Sequence, residues 1–255
     1  MARFFKIASK VLTVIFVLSV LFITGFVAML LPATSKAFYE WQFDKEGYQG
    51  CTPLELVKQE RVYVIDKDAI EYLTDLDKEG LIDLMFETLR YCFYLEEDIN
   101  PEVDGKEIPV FRQDEISHMK DVKDLFGAVI LVVLTSVVVV AVLLPLGLIK
   151  KKSYYENCRK IPLYTIIGIG VFLAIIGIFF AVAFDAVFEI FHRIFFKGNY
   201  AFYDGVMIGM IGNIFYDLVP IMISIWFVLF GGFSVGLYFY HKNLNKKFES
   251  QQGKA

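Results

Sequence analysis

The chain has 255 residues, of which 56% are hydrophobic, with a mean hydropathy of +0.54 and a formal net charge of −4. Soluble globular domains contain only about 45–50% apolar residues, so this composition excludes an ordinary soluble fold and indicates an integral membrane protein. The weakly acidic balance gives no reason to expect a nucleic-acid partner.

Four uncharged apolar stretches are long enough to cross a bilayer. They cover residues 11–31, 126–149, 163–184 and 219–240. The hydrocarbon layer is ~30 Å thick and a helix rises ~1.5 Å per residue, so each stretch suffices as a helix. Backbone groups in lipid must be paired within their own segment, which restricts such runs to helices. We therefore predict four transmembrane helices with both termini on one side.

The first apolar stretch has the layout of a secretory signal peptide, with a basic front and small residues at 33–37. Its apolar run of about 21 residues is longer than the ~7–15 of a signal core. We therefore expect a retained membrane anchor that ends near residue 34.

Basic residues set the predicted orientation, because lysine and arginine near span ends remain cytoplasmic. They cluster before the first stretch (Arg3, Lys6, Lys10), between the second and third (Lys150, Lys151, Lys152, Arg159, Lys160) and after the fourth (Lys242, Lys246, Lys247). All three clusters agree, so both termini are predicted to be cytoplasmic. These residues mark membrane sidedness and do not form a nucleic-acid face.

The resulting fold class is a mostly α-helical polytopic membrane protein with an extracytoplasmic α+β cap domain between its first and second transmembrane helices. The predicted parts are 1–34 (cytoplasmic tail and first transmembrane helix), 35–125 (cap domain), 126–149 (second helix), 150–162 (basic cytoplasmic link), 163–184 (third helix), 185–218 (outer loop) and 219–255 (fourth helix and cytoplasmic tail). The cap is strongly acidic: residues 36–125 hold 23 acidic and 11 basic residues, a net charge of −12.

Within the cap, periodicity predicts helices at 68–73 and 81–93, a strand at 61–65, a turn at 100–106 and a possible strand at 108–111. Cys51 and Cys92 both lie in this outer domain, where a disulfide is permitted. Their spacing carries no framework signature, so two separate thiols remain the alternative. Cys158 lies in the cytoplasmic link and is expected to be a free thiol.

The outer loop contains an apolar segment, residues 206–215, that is too short to span a membrane. We interpret it as a re-entrant or interfacial segment. Aromatic residues around it and after the first span are typical of a belt at the outer interface.

Two of the three histidines are predicted to lie at similar depth on the outer side. His118 precedes the second span by about eight residues and His192 follows the third by about eight, which places each roughly 12 Å above the span if the helices continue. His241 begins the cytoplasmic tail and cannot join them.

Each outer histidine has carboxylates at helical spacing, as an imidazole base requires for its orientation. Glu115 lies three residues before His118 and Asp121 three residues after it. Glu189 lies three residues before His192, and Arg193 lies four residues after Glu189. The alternative is a hydrated helix end with ordinary surface charges. The coincidence of two histidines at one depth favours a functional site.

The residues around the histidines resemble a known family. An E-x-x-H-M-x-D-V segment at 115–122, an F-H-x-I-F-F-x-x-N segment at 191–199 and the four-span layout with a large outer loop are similar to the lipoprotein intramolecular transacylases of Gram-positive bacteria. The two motifs cover about twenty residues, and the layout covers nearly the whole chain. A bacterial plasma-membrane protein with its active site at the extracytoplasmic face is therefore expected.

The resemblance implies a reaction and its residues. Members of the family move the sn-2 acyl chain of a diacylglyceryl-modified N-terminal cysteine onto the α-amino group of that cysteine, and the implicated histidine pair falls on His118 and His192. No cofactor or metal is implied; the expected partners are diacylated lipoproteins and membrane lipid. Arg193 or Asn199 is a candidate for steadying the oxyanion or substrate carbonyls. Asp204 stands in, shifted by one, for the aspartate of a Phe-Asp-Pro-like stretch in the family.

Two other functions fit the residues alone. A metal-dependent membrane hydrolase could bind its metal through His118, His192 and a carboxylate, although no H-E-x-x-H or paired C-x-x-C motif is present. A non-enzymatic sensor or assembly partner could use the acidic cap to bind another protein.

Overall fold

The computed structural model describes residues 2–46, 50–149, 161–196, 204–211 and 214–252. The described residues form ten helices and one two-stranded hairpin: α1 (Ala2–Ala33), α2 (Lys36–Phe43), α3 (Pro53–Glu60), α4 (Lys67–Asp75), α5 (Lys78–Cys92), β1 (Glu102–Val103), β2 (Lys106–Glu107), α6 (Gln113–Ile149), α7 (Ile161–Val182), α8 (Phe184–Phe195), α9 (Val206–Ile211) and α10 (Ile214–Gln252). They divide into two compact units. We call Met1–Met29, Leu131–Val187 and Met222–Ala255 the apolar unit, and Leu30–Ile130 with Phe188–Ile221 the cap unit.

The apolar unit carries the helices that are suited to lipid. Three helices of the described chain have the length and composition to cross a membrane, over Ile7–Ala33, Gln113–Pro145 and Asp217–Tyr240. The third predicted span coincides with α7, whose described apolar stretch, Ile167–Phe179, is shorter. Four spans therefore remain a prediction.

Packing in the apolar unit is concentrated around one aromatic pair. Trp226 and Phe230 stack with ring centroids 5.1 Å apart and an angle of 14° between their planes. Helix α1 passes beside Trp226 at Gly25, where a Cβ would lie 3.7 Å from Trp226 Cδ1, an ordinary van der Waals contact. Many other apolar side chains of this unit are exposed, among them Val138 and Val228. Such surfaces are costly in water but match a lipid environment.

The cap unit is built from short helices with well-formed N-termini. Thr52 and Glu55 form a reciprocal capping box at α3, and the side chains of Asp66 and Asp77 accept hydrogen bonds from the first amides of α4 and α5. Both helices predicted in the cap are thereby confirmed. The cap unit also takes in Phe188–Ile221, so most of the predicted outer loop belongs to it.

Both strands predicted in the cap are wrong. Residues Arg61–Tyr63 form a 3₁₀ turn, and the side chain of Ile65 just beyond it is 96% exposed. An alternating apolar pattern becomes a strand only where a sheet buries one of its faces, and here Val64 is buried whereas Val62, Tyr63 and Ile65 are exposed. Residues 108–111 form no strand and are held by loop hydrogen bonds, from Ile108 N to Pro101 O and from Val110 N to Ile108 O, both at 2.8 Å. The hairpin β1–β2 instead forms around the predicted turn, where Asp104 and Gly105 both have positive φ.

The two outer cysteines are not bridged. Cys92 is buried in the cap core, and that burial raises the pKa of its thiol to about 12. Cys51 is partly exposed, and its Sγ lies 3.5 Å from Gln59 Nε2. Cys92 is therefore an unreactive core residue. The third cysteine, Cys158, lies outside the described residues.

The short apolar segment of the outer loop is covered by protein. Helix α9 buries Val206, Met207 and Met210 in the cap core. Gly209 lies so close to α3 that an added Cβ would be 2.9 Å from the backbone nitrogen of Val57. The interpretation of this segment as re-entrant or interfacial stays a prediction; in the described residues its apolar side chains pack against the cap core.

Replacing Gly209 with alanine is expected to destabilise the cap by about 1–3 kcal/mol, since the added methyl group meets rigid backbone. Gly168 in α7 provides the control, because nothing lies within 4 Å of its added Cβ. There alanine should be neutral or stabilise by up to ~1 kcal/mol, through helix propensity. Thermal unfolding of the two variants measures the difference, and equal transition temperatures would contradict the close approach of α9 to α3.

Candidate functional site

His118 and His192 lie face to face in the cap unit. His118 comes from α6 and His192 from α8, and their ring centroids are 5.9 Å apart with 24° between the planes. The ring of Phe196 packs against both imidazoles, and its centroid lies 4.9 Å from that of His118 and 5.2 Å from that of His192. His192 is only 7% exposed and His118 is half-buried. The structure therefore brings together the two histidines that the sequence places at one depth.

The backbone of α8 fixes the orientation of His192. Its Nδ1 lies 2.7 Å from the carbonyl oxygen of Phe188, one turn earlier. A carbonyl oxygen can only accept, so Nδ1 carries the proton and Nε2 is the basic nitrogen of the neutral ring. Burial lowers the pKa of His192, and the hydrogen bond to Phe188 opposes that shift. The ring is thus kept neutral at physiological pH, as a general base requires.

Aromatic side chains enclose the pair. The ring of Phe188 lies 3.8 Å from that of His192, and Phe191 lies 5.4 Å away on the other side. Phe188 and Phe196 precede and follow His192 by four residues, the spacing that places side chains on one helical face. The sequence interpretation did not single them out, although that spacing was the available signal.

Glu189 and Arg193 lie on the surface of α8, and the role expected of Arg193 toward a substrate stays a prediction. They form an ion pair with each other across one helical turn, with side chains 53% and 69% exposed. The pairing follows from their i, i+4 spacing, which brings opposite charges together on the helix surface. The expectation that Glu189 orients His192 is corrected: the carbonyl of Phe188 does so. Arg193 is correspondingly engaged by Glu189.

Replacing Glu189 with alanine should therefore change activity and stability little, within about threefold in rate, since exposed ion pairs of this kind contribute weakly. Lipoprotein N-termini analysed by mass spectrometry would measure this. A loss of more than tenfold would restore a direct role for Glu189 beside His192.

Glu115 is completely buried, but it does not face the imidazole of His118. Its Oε2 accepts a hydrogen bond from Arg112 N at 2.8 Å, and its Oε1 accepts one from Met207 N at 2.9 Å. It therefore joins the start of α6 to the start of α9, and the expectation that it orients the ring directly is corrected. The reason is that the backbone amides of both helix N-termini lie closer to this carboxylate than the ring does.

The remaining predicted site residues are placed as follows. Asp204 forms an ion pair with Arg112, which also binds Asp114 through two nitrogens, at 3.1 and 2.9 Å. Asp121 is half-buried one turn after His118 on α6. Asn199 lies outside the described residues. Arg112 was missed at the sequence level, because nothing in its local pattern indicates a partner 92 residues away.

Within the described part of the chain, no three histidine, cysteine, aspartate or glutamate side chains are grouped so that they could share a metal ion. The hydrolase alternative therefore has no ligand set among these residues. What the pair offers is proton transfer. Two imidazoles at this separation, walled by phenylalanines, can remove a proton from one atom of a bound substrate and deliver one to another.

A mostly helical chain with membrane-length apolar helices and a buried pair of imidazoles belongs to the class of integral membrane proteins with a candidate acid–base site. The family model described as lipoprotein intramolecular transacylase Lit matches residues 11–206. Because this match covers most of the sequence, the chain belongs to the Lit family. The name of that family describes an acyltransferase that acts on lipoproteins.

Solved structures share the fold. The membrane integral lipoprotein intramolecular transacylase Lit from Bacillus cereus matches with a TM-score of 0.61 and 16% identity, over 95% of this chain and 98% of that chain. A variant of that protein with one histidine changed to arginine matches with a TM-score of 0.59 and 18% identity, over 98% and 97% of the two chains. A second variant, in which one histidine is changed to alanine, matches with a TM-score of 0.58 and 19% identity, over 97% of this chain and 98% of that chain. No curated protein is significantly similar in sequence.

Proposed function

We propose that this protein transfers the sn-2 acyl chain of a diacylglyceryl-modified N-terminal cysteine to the α-amino group of the same cysteine, which yields a lyso-form lipoprotein. The observation that carries the proposal is the stacking of His118 and His192, 5.9 Å apart and walled by aromatic rings. Membership of the Lit family supports the acyl-transfer class and a lipoprotein substrate.

The proposed reaction needs one base, one acid and no co-reactant. The neutral α-amine attacks the carbonyl carbon of the sn-2 ester, so that a C–N bond forms while one imidazole takes the N–H proton. The tetrahedral intermediate then collapses, the C–O bond to glycerol breaks, and the second imidazole protonates the leaving oxygen to a hydroxyl. The imidazole pair carries one proton before and after the transfer. Both reacting groups belong to one molecule, which favours an intramolecular route.

The geometry supports His192 as the base in this scheme. Its Nδ1 proton is committed to the carbonyl of Phe188, so Nε2 is the basic nitrogen of the neutral ring. Its lowered pKa, caused by burial, keeps it neutral near pH 7. His118 is then the acid that protonates the glycerol oxygen. In an apolar surround, the attraction between a protonated imidazole and the negative charge that develops on the substrate oxygen is less screened than in water.

The proposal includes a membrane topology. We propose four transmembrane helices with cytoplasmic termini and the cap, 35–125, on the extracytoplasmic side. The three basic clusters of the sequence support this orientation, and the acidic cap, with its net charge of −12, fits the outer face. The reaction would thus occur where mature lipoproteins expose their N-terminal cysteine.

Expression in a bacterium whose lipoproteins carry a free N-terminal amine tests the function. Mass spectrometry of the lipoprotein N-termini should then show N-acylated cysteine with an unoccupied sn-2 position. That product should be absent when His118 and His192 are both alanine and the protein is still present in the membrane. Unchanged diacyl lipoproteins in the presence of the membrane-inserted wild-type protein would refute the proposal.

A further inference from the structure

Glu115 is a buried carboxylate for which the proposed acid–base step has no use. It is 0% exposed, and both of its oxygens accept backbone hydrogen bonds, from Arg112 N and Met207 N. Burying an ionisable group is costly unless directional partners compensate for lost hydration. The two partners belong to segments 95 residues apart in the chain, so the carboxylate fastens one to the other.

Residues 204–207, at the start of α9, approach the Glu115 carboxylate closely. Gly205 has φ +117°, and a Cβ at this position would overlap Glu115 Oε1. Its amide nitrogen donates to Glu60 Oε2 at 2.7 Å, and the neighbouring Asp204 is paired with Arg112. Only glycine combines this backbone conformation with so close an approach. The first residues of α9 are therefore held by several polar contacts, of which the one to Glu115 is the most deeply buried.

Both segments joined by Glu115 are continuous with the histidines. His118 follows Glu115 by three residues on α6, one turn along the same face. Asp204 follows Phe196, the residue that contacts both imidazoles, by eight positions in the chain. The described chain thus leaves the histidine pair at Phe196 and resumes at Asp204, beside the start of the helix that carries His118.

We propose that Glu115 is a positioning residue. By accepting hydrogen bonds from Arg112 N and Met207 N, it holds the start of α9 against the start of α6 and thereby sets the separation of His118 and His192. The effect on rate rests on the proposed function, whereas the effect on geometry does not.

The chain offers a matched control. Glu55 occupies the third position of α3, as Glu115 does in α6, and it likewise accepts from the backbone amide three residues earlier, Thr52 N, at 2.7 Å. It is exposed and does not contact the start of α9. In Glu115→Gln one carboxylate oxygen becomes an NH₂ donor that faces another N–H, so one of the two hydrogen bonds is lost. Glu55→Gln makes the same substitution at an exposed carboxylate of which only Oε2 is engaged, so the glutamine amide oxygen keeps the bond to Thr52 N.

Kinetics form the first readout. Glu115→Gln is expected to lower kcat by about 10- to 100-fold with little change in KM, because displaced reacting groups slow the chemical step more than they weaken binding. Glu55→Gln should remain within about twofold. A matching fall in kcat for both variants, or a change confined to KM, would overturn the positioning role.

Cross-linking forms the second readout and does not depend on activity. In a chain with Cys51 and Cys158 changed to serine, His118→Cys and His192→Cys are joined by a short bifunctional thiol reagent, and the yield reports their proximity. Adding Glu115→Gln should lower this yield several-fold, whereas Glu55→Gln should not. Unchanged cross-linking would refute the proposal. Reduced cross-linking, together with no transacylase activity in the chain that retains both histidines, would preserve this inference and refute the proposed function.

Asp204→Asn provides a milder test should Glu115→Gln fold poorly. It removes the ion pair to Arg112 at a partly exposed position while leaving the hydrogen bonds of Glu115 in place. A partial reduction in cross-linking is expected, between those of Glu55→Gln and Glu115→Gln. Cross-linking as high as in the reference chain would show that the start of α9 does not set the histidine separation.

Discussion

Replacing either His118 or His192 with alanine is expected to lower the transacylation rate by about 10²- to 10⁴-fold, the usual contribution of a positioned acid or base. The double variant should be no slower than the more impaired single variant. One ring serves the attack and the other the collapse of the intermediate, so the slower of the two impaired steps sets the rate of the double variant. Single-turnover conversion of a synthetic diacyl lipopeptide in liposomes, followed by mass spectrometry, measures all three rates.

His241→Ala is the control for this series, because the sequence places that histidine on the cytoplasmic side, away from the pair. Its rate should equal that of the wild type. Strictly multiplicative losses in the double variant would instead mean that the two imidazoles contribute independently to one transition state. A single variant with full activity would remove that histidine from the mechanism.

The sequence contains much of what locates the histidine pair. Helical periodicity and N-terminal residues such as Asp66 and Asp77 predict the cap helices, since these signals are local. Counting residues from the apolar stretches places His118 and His192 at similar depth. Their contact at 5.9 Å lies beyond what counting can specify, because it depends on how α6 and α8 pack.

The partners of the pair could not be found in the same way. Side-chain spacing suggests carboxylates for both imidazoles, yet His192 is oriented by the main-chain oxygen of Phe188, which every residue possesses. Glu115 is likewise engaged by the backbone nitrogen of Met207, far along the chain. Backbone groups leave no mark on residue patterns. A pattern of titratable side chains therefore over-assigns roles to carboxylates such as Glu189, whose own partner is simply the nearest arginine.

The same limit explains the segment at 206–211. Its apolar composition shows that it must be buried but does not specify what buries it. Gly209 provides the missing information in the structure, because only a residue without Cβ permits the approach of α9 to Val57. A glycine in a short apolar run is thus as consistent with close packing against protein as with a membrane interface.

Proton counting links the site to its pH dependence. The substrate α-amine has an ordinary pKa of about 7.7–8.0, so at neutral pH it arrives as an ammonium ion. A neutral imidazole must take that proton before the nitrogen can attack, which leaves the pair with the single proton that the acid step needs. The reactive complex therefore requires both imidazoles neutral and the amine protonated, or the equivalent state with that proton already on the pair.

The rate constant kcat/KM is accordingly expected to follow a bell-shaped pH profile. Its acid limb should lie below pH 6.5, because burial lowers the pKa of His192 and the ring stays neutral until the solution is more acidic than for a free histidine. Its basic limb should lie near pH 8, where the α-amine loses its proton to solvent. Initial rates on a liposome-bound diacyl lipopeptide between pH 5 and 9 measure both limbs.

Thermal unfolding at each pH separates this titration from acid denaturation. Because the pKa of His192 is lowered in the folded state, the unfolded chain takes up the proton first. The stability contributed by the neutral ring is complete above pH 6.5 and is lost as the pH falls from there through the folded-state pKa. Rates must therefore be compared where the protein remains folded. An acid limb above pH 6.5 in folded protein would mean that the limb does not report a His192 whose pKa is lowered by burial, and would contradict its assignment as the base.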